Sequence, residues 1–251
     1  MAEKVKLEYK SRLGHIVLND PPYNFLSLQL LEELNGIMDF LISREDCKAM
    51  VLSSVGKYFS AGFDYSKHTR VNTFSIFEAY KSFIEKMLNF EKPIIFAISG
   101  KVENSALDLL IFADVVLASS EAKFSYSDFS YGRYPLVGAF LLGEIIGRKE
   151  AYKLFLSGKE YDALQFKNLG IVSDVAEKGK LSEKIKEYLS KIFSCGNGLL
   201  SSFSSVNKVS LREKYEKWIE NSVYTYLNIL SEYPEYEEGS RKFMVDEGGE
   251  K

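Results

Sequence analysis

One short stretch of the sequence, Lys57 to Asp64, has residue types suited to gripping a polar atom of a ligand through the backbone. It follows the apolar run 49–52 and contains the small residues Ser60, Ala61 and Gly62 in succession. Small side chains let a ligand approach the main chain closely, so the N–H groups just after the glycine can point at its polar atom. The stretch could therefore form half of an oxyanion hole, although a glycine also marks ordinary strand-to-helix turns.

Alternating strand and helix patterns surround this turn. Apolar spacing predicts a pair of strands at 5–9 and 15–19, followed by an amphipathic helix that ends near Ser43. A strand-then-helix rhythm of this kind predicts βαβ units and a mainly parallel sheet. Further strands are predicted at 49–53, 94–98, 115–118 and 123–126. Further helices are predicted around 74–88, at 107–112, 138–146, 148–157, 163–169 and 181–193.

The last part of the sequence is predicted to be helical. We interpret Cys195 to Gly198 as a linker, with helices at about 199–230 and 234–245 beyond it. The apolar side chains of these helices need a covering surface, either another subunit or the main domain. We therefore divide the chain into a core domain, 1–195, and a helical oligomerisation region, 196–251. The predicted packing residues are Tyr215, Trp218, Ile219, Val223, Tyr224, Tyr226, Leu227 and Leu230.

Composition excludes several classes of protein. Of the 251 residues 46% are apolar, and the formal net charge of -3 shows no bias toward nucleic acid or an anionic membrane. The two cysteines, Cys47 and Cys195, lack metal-ligand spacing. The N-terminus does not resemble a signal peptide, and the longest apolar stretch, 106–118, is interrupted by Asp108 and Asp114. We expect a cytoplasmic protein with no metal, nucleic-acid or membrane partner.

Several motifs occur in an order that is typical of one family. The first three are Phe59-Ser60-Ala61-Gly62-Phe63-Asp64, Lys92-Pro93-Ile94-Ile95-Phe96-Ala97-Ile98-Ser99-Gly100, and Asp108 with the segment 113–118. They are followed by Tyr131-Gly132, Ile146-Gly147-Arg148 and Leu156-Ser157-Gly158. Over about residues 5 to 190 this order resembles the crotonase, or enoyl-CoA hydratase/isomerase, superfamily, and the segment 236–243 is similar to its final helix.

The resemblance implies an α/β fold: a spiral of ββα units with two roughly perpendicular sheets and a helical C-terminal trimerisation region. It implies a homotrimer or a dimer of trimers. The chemistry implied is stabilisation of an enolate formed from an acyl-CoA thioester. Coenzyme A enters as part of the substrate, and no separate cofactor is expected.

The resemblance also implies roles for two backbone N–H groups. Phe63 would supply the first donor to the thioester oxygen and Ser105 the second, at the start of a helix whose dipole favours negative charge there. Where many members have a run of glycines, this chain has Glu103-Asn104-Ser105-Ala106. Either the pocket is reshaped for a particular acyl group, or the hole is damaged and the protein is not a catalyst.

Two acidic residues occupy the positions of the glutamates that flank a water in hydratases of this family. They are Asp108 and Asp128, and two carboxylates suit hydration because one can orient the water while the other exchanges a proton with the α-carbon. A structural alternative is that Asp108 caps a helix or binds a nearby backbone N–H, and that Asp128 is a turn residue in the segment 125–128. Tyr126, Tyr131 and Tyr134 lie near Asp128 in sequence, where they either donate hydrogen bonds or pack in the core.

Coenzyme A binding is implied for residues in and beside the turn. Lys57 falls where a phosphate-binding lysine occurs in related hydratases, although it could equally be a solvated lysine. The positions assigned to coenzyme A are Lys57, Phe59, Ala61, Asp64 and Lys67.

These observations favour an acyl-CoA lyase that adds water to, or removes it from, an enoyl-CoA. The substitutions at 103–106, the bulky Phe63 and the segment 136–139 indicate an unusual acyl group, such as the cyclic or dienoyl thioesters of anaerobic aromatic degradation. An enoyl- or dienoyl-CoA isomerase is an alternative, but dienoyl isomerases carry another acid where this chain has Leu136. A catalytically inactive, acyl-CoA-binding member of the family is a third.

Overall fold

The computed structural model describes residues 3–65 and 70–232. Lys67, the predicted helix at 234–245 and the motif at 236–243 lie outside the described residues. The strands are β1 (Val5–Lys10), β2 (Leu13–Leu18), β3 (Ala49–Ser54), β4 (Tyr58–Ser60), β5 (Ile94–Ile98), β6 (Lys101–Glu103), β7 (Val115–Ser119), β8 (Lys123–Ser125), β9 (Glu160–Asp162) and β10 (Asp174–Ala176). The helices are α1 (Leu28–Ser43), α2 (Arg70–Asn89), α3 (Ser105–Leu110), α4 (Gly138–Ile146), α5 (Arg148–Ser157), α6 (Ala163–Asn168), α7 (Leu181–Ser194), α8 (Asn197–Asn207) and α9 (Val209–Glu232).

The described strands form two sheets. The larger has six strands in the order β1-β2-β3-β5-β7-β10, and all neighbours except the β1–β2 hairpin are parallel. The smaller has four strands in the order β4-β6-β8-β9. The predicted α/β fold with a mainly parallel sheet is confirmed. The structure corrects the prediction at β4, which lies inside the predicted turn, and at β6, β9 and β10, which are three residues long and too short to show alternation.

Both faces of the larger sheet are covered, which is why β5 is apolar along its whole length. All five of its residues, Ile94 to Ile98, are buried. Ile95 and Ala97 face α7, whose Ile185 and Leu189 pack against them. Ile94, Phe96 and Ile98 face the other way, into the main core that surrounds the smaller sheet, α1 and α2. This core holds β4 and α3 in fixed positions.

The C-terminal helices pack on the main domain. The predicted linker is shorter than expected because α8 begins at Asn197, and the predicted helix at 199–230 is divided near Lys208. Lys208 lies at the division and is buried: its Nζ donates to the carbonyl of Phe90 at 3.0 Å and lies 3.2 Å from a carboxylate oxygen of Asp114. The α9 residues that belong to the main core are Tyr215, Ile219, Val223 and Tyr226.

Some apolar side chains of α8 and α9 face outward. Leu199, Phe203 and Val206 on α8 are exposed, as are Trp218 and Tyr224 on α9. Within the described ranges, no helix combines the length and the apolar character needed to cross a bilayer.

Candidate active site

The turn after β4 and the start of α3 face each other across a narrow gap. Gly62 lies at the bend with φ of +88°, a conformation that side-chain-bearing residues rarely adopt. A Cβ added to Gly62 would lie 2.8 Å from Ser105 Oγ and 3.1 Å from Ser105 N. The glycine is therefore required both by backbone conformation and by space.

The two predicted oxyanion donors come together, but one of them is already bonded. The backbone N–H of Phe63 donates to the side-chain Oγ of Ser105 at 2.9 Å, and both residues are buried. The Ser105 hydroxyl thus occupies the place where a ligand oxygen would accept from Phe63. The carbonyl of Ser105 in turn accepts from the hydroxyl of Tyr80 at 2.8 Å, which fixes the first turn of α3.

Asp108 lies on α3, and its carboxyl group is turned away from its own helix. Oδ1 accepts from the hydroxyl of Tyr126 at 2.9 Å and Oδ2 from the backbone N–H of Val137 at 3.2 Å. Burial raises the pKa of Asp108 to about 7, with a smaller contribution in the same direction from the charge of Asp128, while the hydrogen bonds oppose this shift. Asp108 does not cap its own helix, but its carboxyl group accepts from the backbone N–H groups of Val137 and Gly138 at the start of α4, so the capping interpretation holds for that helix.

Asp128 begins a short 3₁₀ helix, 128–131, that follows β8. Its Oδ1 accepts from the hydroxyl of Tyr65 at 2.8 Å. Burial raises the pKa of Asp128 to about 7, although the nearby positive charge of Arg133 and the hydrogen bond from Tyr65 act to lower it. Asp128 thus lies in a turn, as the sequence indicates, but its side chain bonds to Tyr65, a residue distant in sequence.

Three residues that the sequence analysis did not select complete the site. Tyr65 and Tyr80 supply the hydroxyl groups already described, and the guanidinium carbon of the buried Arg133 lies 3.4 Å from the centroid of the Tyr65 ring. Tyr65 directly follows the turn, a signal that was available. Tyr80 lies on α2, and Arg133 is a buried arginine. The residue spacing in the sequence gives no indication that either one lies near this turn.

The tyrosines singled out from the sequence take both of the roles expected of them, but Tyr126 has a different carboxyl partner. Tyr126 bonds to Asp108 and not to Asp128, and its ring packs edge-on against Phe155. Tyr131 and Tyr134 are partly buried and pack against the main core. The expected cluster around Asp128 is therefore built by Tyr65 and Arg133.

The side chains of the residues assigned to coenzyme A do not point to one common site. Phe59 is fully buried against Phe96, so its side chain belongs to the core. The backbone N–H of Ala61 donates to the carbonyl of Tyr23 at 3.0 Å. Lys57 is exposed, with its Nζ 6.0 Å from the centroid of the Tyr58 ring, and Asp64 is half-buried.

Two buried carboxyl groups that titrate near neutrality have the chemical character of an acid–base pair. Asp108 and Asp128 are both fully buried, and the charge of Asp128 acts on Asp108 while both carboxyl groups act on Tyr126. Two interacting carboxyl groups that titrate near neutrality exchange protons as a pair. Such a pair can hold one proton and one negative charge at pH 7, which suits a reaction that both takes and gives a proton.

Comparison with known proteins identifies relatives over most of the chain. The sequence model of the enoyl-CoA hydratase/isomerase family matches residues 8–244. A Bacillus subtilis protein named probable enoyl-CoA hydratase is 26% identical over 217 residues, which cover 84% of this chain and 80% of that protein. A Rhizobium meliloti protein of the same name is 29% identical over 195 residues, 76% of each chain.

Solved structures match the fold. The crystal structure of an enoyl-CoA hydratase from Bacillus halodurans superimposes with a TM-score of 0.88 at 19% identity, over 96% of this chain and all of that chain. At this level of identity the likeness concerns the fold alone. The implied spiral architecture with its C-terminal helices is thereby confirmed.

Proposed function

The chain belongs to the enoyl-CoA hydratase/isomerase family, and from this premise we propose that it hydrates an enoyl-CoA thioester or catalyses the reverse dehydration. One observation carries the proposal: two fully buried carboxyl groups, Asp108 and Asp128, each with a pKa near 7 and a tyrosine hydroxyl bonded to it, lie beside the contact between Phe63 and Ser105.

The thioester oxygen would bind between the backbone N–H groups of Phe63 and Ser105. As charge develops on that oxygen, two fixed donors stabilise it, and losing one such donor costs on the order of 10²–10³ in rate. In the free protein the Ser105 hydroxyl accepts from Phe63, so it must rotate away before the thioester oxygen binds.

The carboxyl pair would move the two protons of the reaction. In hydration, the ionised carboxylate takes a proton from water as the oxygen of that water bonds to the β-carbon. The protonated partner gives its proton to the α-carbon, and the pair ends with the same single proton. The hydrogen bonds from Tyr65 and Tyr126 hold each carboxyl group in place during this exchange.

A flat, unsaturated acyl group, cyclic or dienoyl, is the substrate class we propose. Aromatic rings support it: the ring of Phe63 lies 4.9 Å from that of Tyr80, 5.4 Å from that of Phe77 and 6.3 Å from that of Tyr65, between centroids. These rings are buried against one another, so the surroundings of Phe63 are apolar and aromatic, which favours a planar acyl group.

A catalytically inactive acyl-CoA-binding protein is the second candidate, and one observation favours it. The Ser105 hydroxyl fills the acceptor position at Phe63, as it would in a site that no longer needs that donor. The two candidates differ in whether any thioester is converted.

Incubation with crotonyl-CoA and a panel of cyclic enoyl- and dienoyl-CoAs tests the proposal. We expect mass spectrometry to show the gain of one water, and Asp108→Asn and Asp128→Asn to abolish it. Asp39→Asn, at an exposed aspartate of α1, is the matched control and retains conversion. A product of unchanged mass with altered absorbance would establish isomerisation instead, and binding without conversion of any thioester would establish the inactive alternative.

Self-association through the C-terminal helices is a further part of the proposal. The outward apolar side chains of α8 and α9, among them Leu199, Phe203 and Trp218, support a homotrimer or a dimer of trimers. Analytical ultracentrifugation measures the mass, and a monomer at all concentrations would contradict this part.

A further inference from the structure

The junction between β6 and α3 contains a buried asparagine in an unusual backbone conformation. Asn104 has φ of +53° and ψ of −128°, and it is 1% exposed. A residue with a side chain in such a conformation is strained and persists only where its surroundings compensate. Glycine would adopt the same backbone without this strain, so the asparagine side chain must contribute something that glycine cannot.

The side chain of Asn104 is the anchor of the segment that carries Asp128. Its Oδ1 accepts from the backbone N–H of Ser127 at 2.8 Å and from that of Asp128 at 3.0 Å, and the Ser127 hydroxyl lies 3.3 Å away. The backbone N–H of Asn104 also donates to the carbonyl of Ser125 at 3.1 Å. These bonds tie residues 125–128 to the start of α3.

The same residue adjoins the proposed oxyanion site. Asn104 is the N-cap of α3, and the next backbone N–H is that of Ser105. Aspartate has one methylene between main chain and carboxyl, so the position of its carboxyl group follows the position of its main chain closely. Fixing the N–H of Asp128 against Asn104 therefore fixes the carboxyl of Asp128 relative to the N–H of Ser105.

We propose that Asn104 is a positioning residue that holds the acid–base group of Asp128 in register with the oxyanion donor of Ser105. The inference rests on the proposed function. Asn104 does not touch the reacting atoms; it acts through the main chain of residues 127 and 128. Its strained backbone is retained because the side chain joins two parts of the site that different elements supply.

The groups around Asp128 determine how its pKa would change if the bonds from Asn104 were lost. Tyr65 from the segment after β4 donates to its carboxyl, Arg133 places a positive charge near it, and Asp108 on α3 is the negative neighbour. Asn104→Gly removes the anchor while permitting the same backbone. The Asp128 carboxyl then gains access to water, and its pKa falls toward the ordinary value.

Two variants test the role. We expect Asn104→Gly to lower kcat for the converted thioester by about 10²-fold with little change in KM, because a displacement near 1 Å has about this effect. Asn104→Asp keeps the acceptor oxygen, so we expect it to restore most of kcat while moving the Asp128 limb of the pH profile to higher pH. Wild-type kcat and pH profile in Asn104→Gly would overturn the inference.

A matched control separates positioning from stability. Asn24 is also buried, has φ of +48°, and donates to the carbonyls of Val55 and Tyr58. Asn24→Gly should lower the free energy of unfolding without moving the pH profile. Equal effects of Asn24→Gly and Asn104→Gly on that profile would contradict a specific role for Asn104.

A readout without substrate keeps this inference separate from the proposed function. Carboxyl carbon NMR titration of ¹³C-aspartate-labelled protein follows the Asp128 pKa directly. We expect a lower pKa in Asn104→Gly than in the wild type. A lowered pKa in a protein that converts no thioester would support the positioning role and refute the proposed function, whereas an unchanged pKa would refute the positioning role alone.

Discussion

Replacing Ser105 by alanine should make the proposed enzyme faster and less stable at the same time. The hydroxyl of Ser105 accepts from the N–H of Phe63 at 2.9 Å, in the place where the thioester oxygen must bind. Substrate binding therefore breaks one protein hydrogen bond before it makes its own. Ser105→Ala removes that competition and leaves the backbone N–H of residue 105 in place.

The size of both effects follows from the worth of one hydrogen bond. A net value of about 0.5–1.5 kcal/mol corresponds to a catalytic efficiency, kcat/KM, that is about 2- to 13-fold higher. In the free protein the same change removes the acceptor of a buried N–H, so the free energy of unfolding should fall by about 1–3 kcal/mol. Initial rates with the converted thioester and urea unfolding measure the two quantities.

Ser60→Ala is the matched control for Ser105→Ala. Ser60 is also buried, and its Oγ accepts from the backbone N–H of Gly62 at 3.2 Å, a donor that the proposed mechanism does not use. It should lower stability without raising the catalytic efficiency. If Ser105→Ala instead lowered the catalytic efficiency by about 10²-fold or more, the reasoning would be refuted, because the hydroxyl would then stabilise the transition state.

Three further predictions concern the pKa of Asp128, the space beside Asp108 and the buried ion pair of Lys208. The Asp128 pKa rises from 3.8 to about 7 on folding, so the folded protein keeps a proton that the unfolded chain loses. The free energy of unfolding of the protein should therefore fall as the pH rises from about 4 to about 7. In urea titrations Asp128→Asn should remove up to about 4 kcal/mol of that fall. Gly138→Ala would place a Cβ 2.7 Å from Oδ1 of Asp108, and kcat should drop about 10²-fold. Lys208→Met should lower stability by about 1.5–3 kcal/mol, because it removes the buried ammonium group that donates to the carbonyl of Phe90 and pairs with Asp114.

Each of these three predictions has its own check. A pH-stability curve of Asp128→Asn that matches the wild type would contradict the first. Gly143→Ala, on the same helix, adds a Cβ at an ordinary 3.4 Å contact and should leave kcat near the wild-type value; equal losses in both alanine variants would refute the second. Lys214→Met removes an exposed ion pair with Glu144 and should cost at most about 1 kcal/mol, and a similar cost for Lys208→Met would refute the third.

Two kinds of feature could be predicted from the sequence: the helices and strands with a repeated apolar spacing, and the residues that belong to a family motif. The longer helices and the strands of the large sheet were predictable because their apolar spacing extends over several turns or residues. Asp108 and Asp128 were found through the resemblance, and the structure buries both of them. Their roles in catalysis stay predictions.

The rest depended on contacts between distant segments. Tyr65 joins Asp128 across 63 positions, and the hydroxyl of Ser105 reaches the N–H of Phe63 across 42. Neither pairing leaves a periodic signal. The bonds of Asn104 to residues 127 and 128 were equally hidden, although its place in a stretch where many members have glycines is compatible with its positive φ.

The position of α9 has a consequence for the order in which the site is built during synthesis. The ring of Tyr226 packs edge-on against Phe77 at 4.6 Å, and Phe77 in turn contacts Phe63. When Asp128 has just left the ribosome, the nascent chain already contains the proposed donors and acids. It still lacks Tyr226, which packs against Phe77. Maturation of the pocket therefore waits for roughly a hundred more residues, so a chain released before Tyr226 should retain the chemical groups without their enclosure.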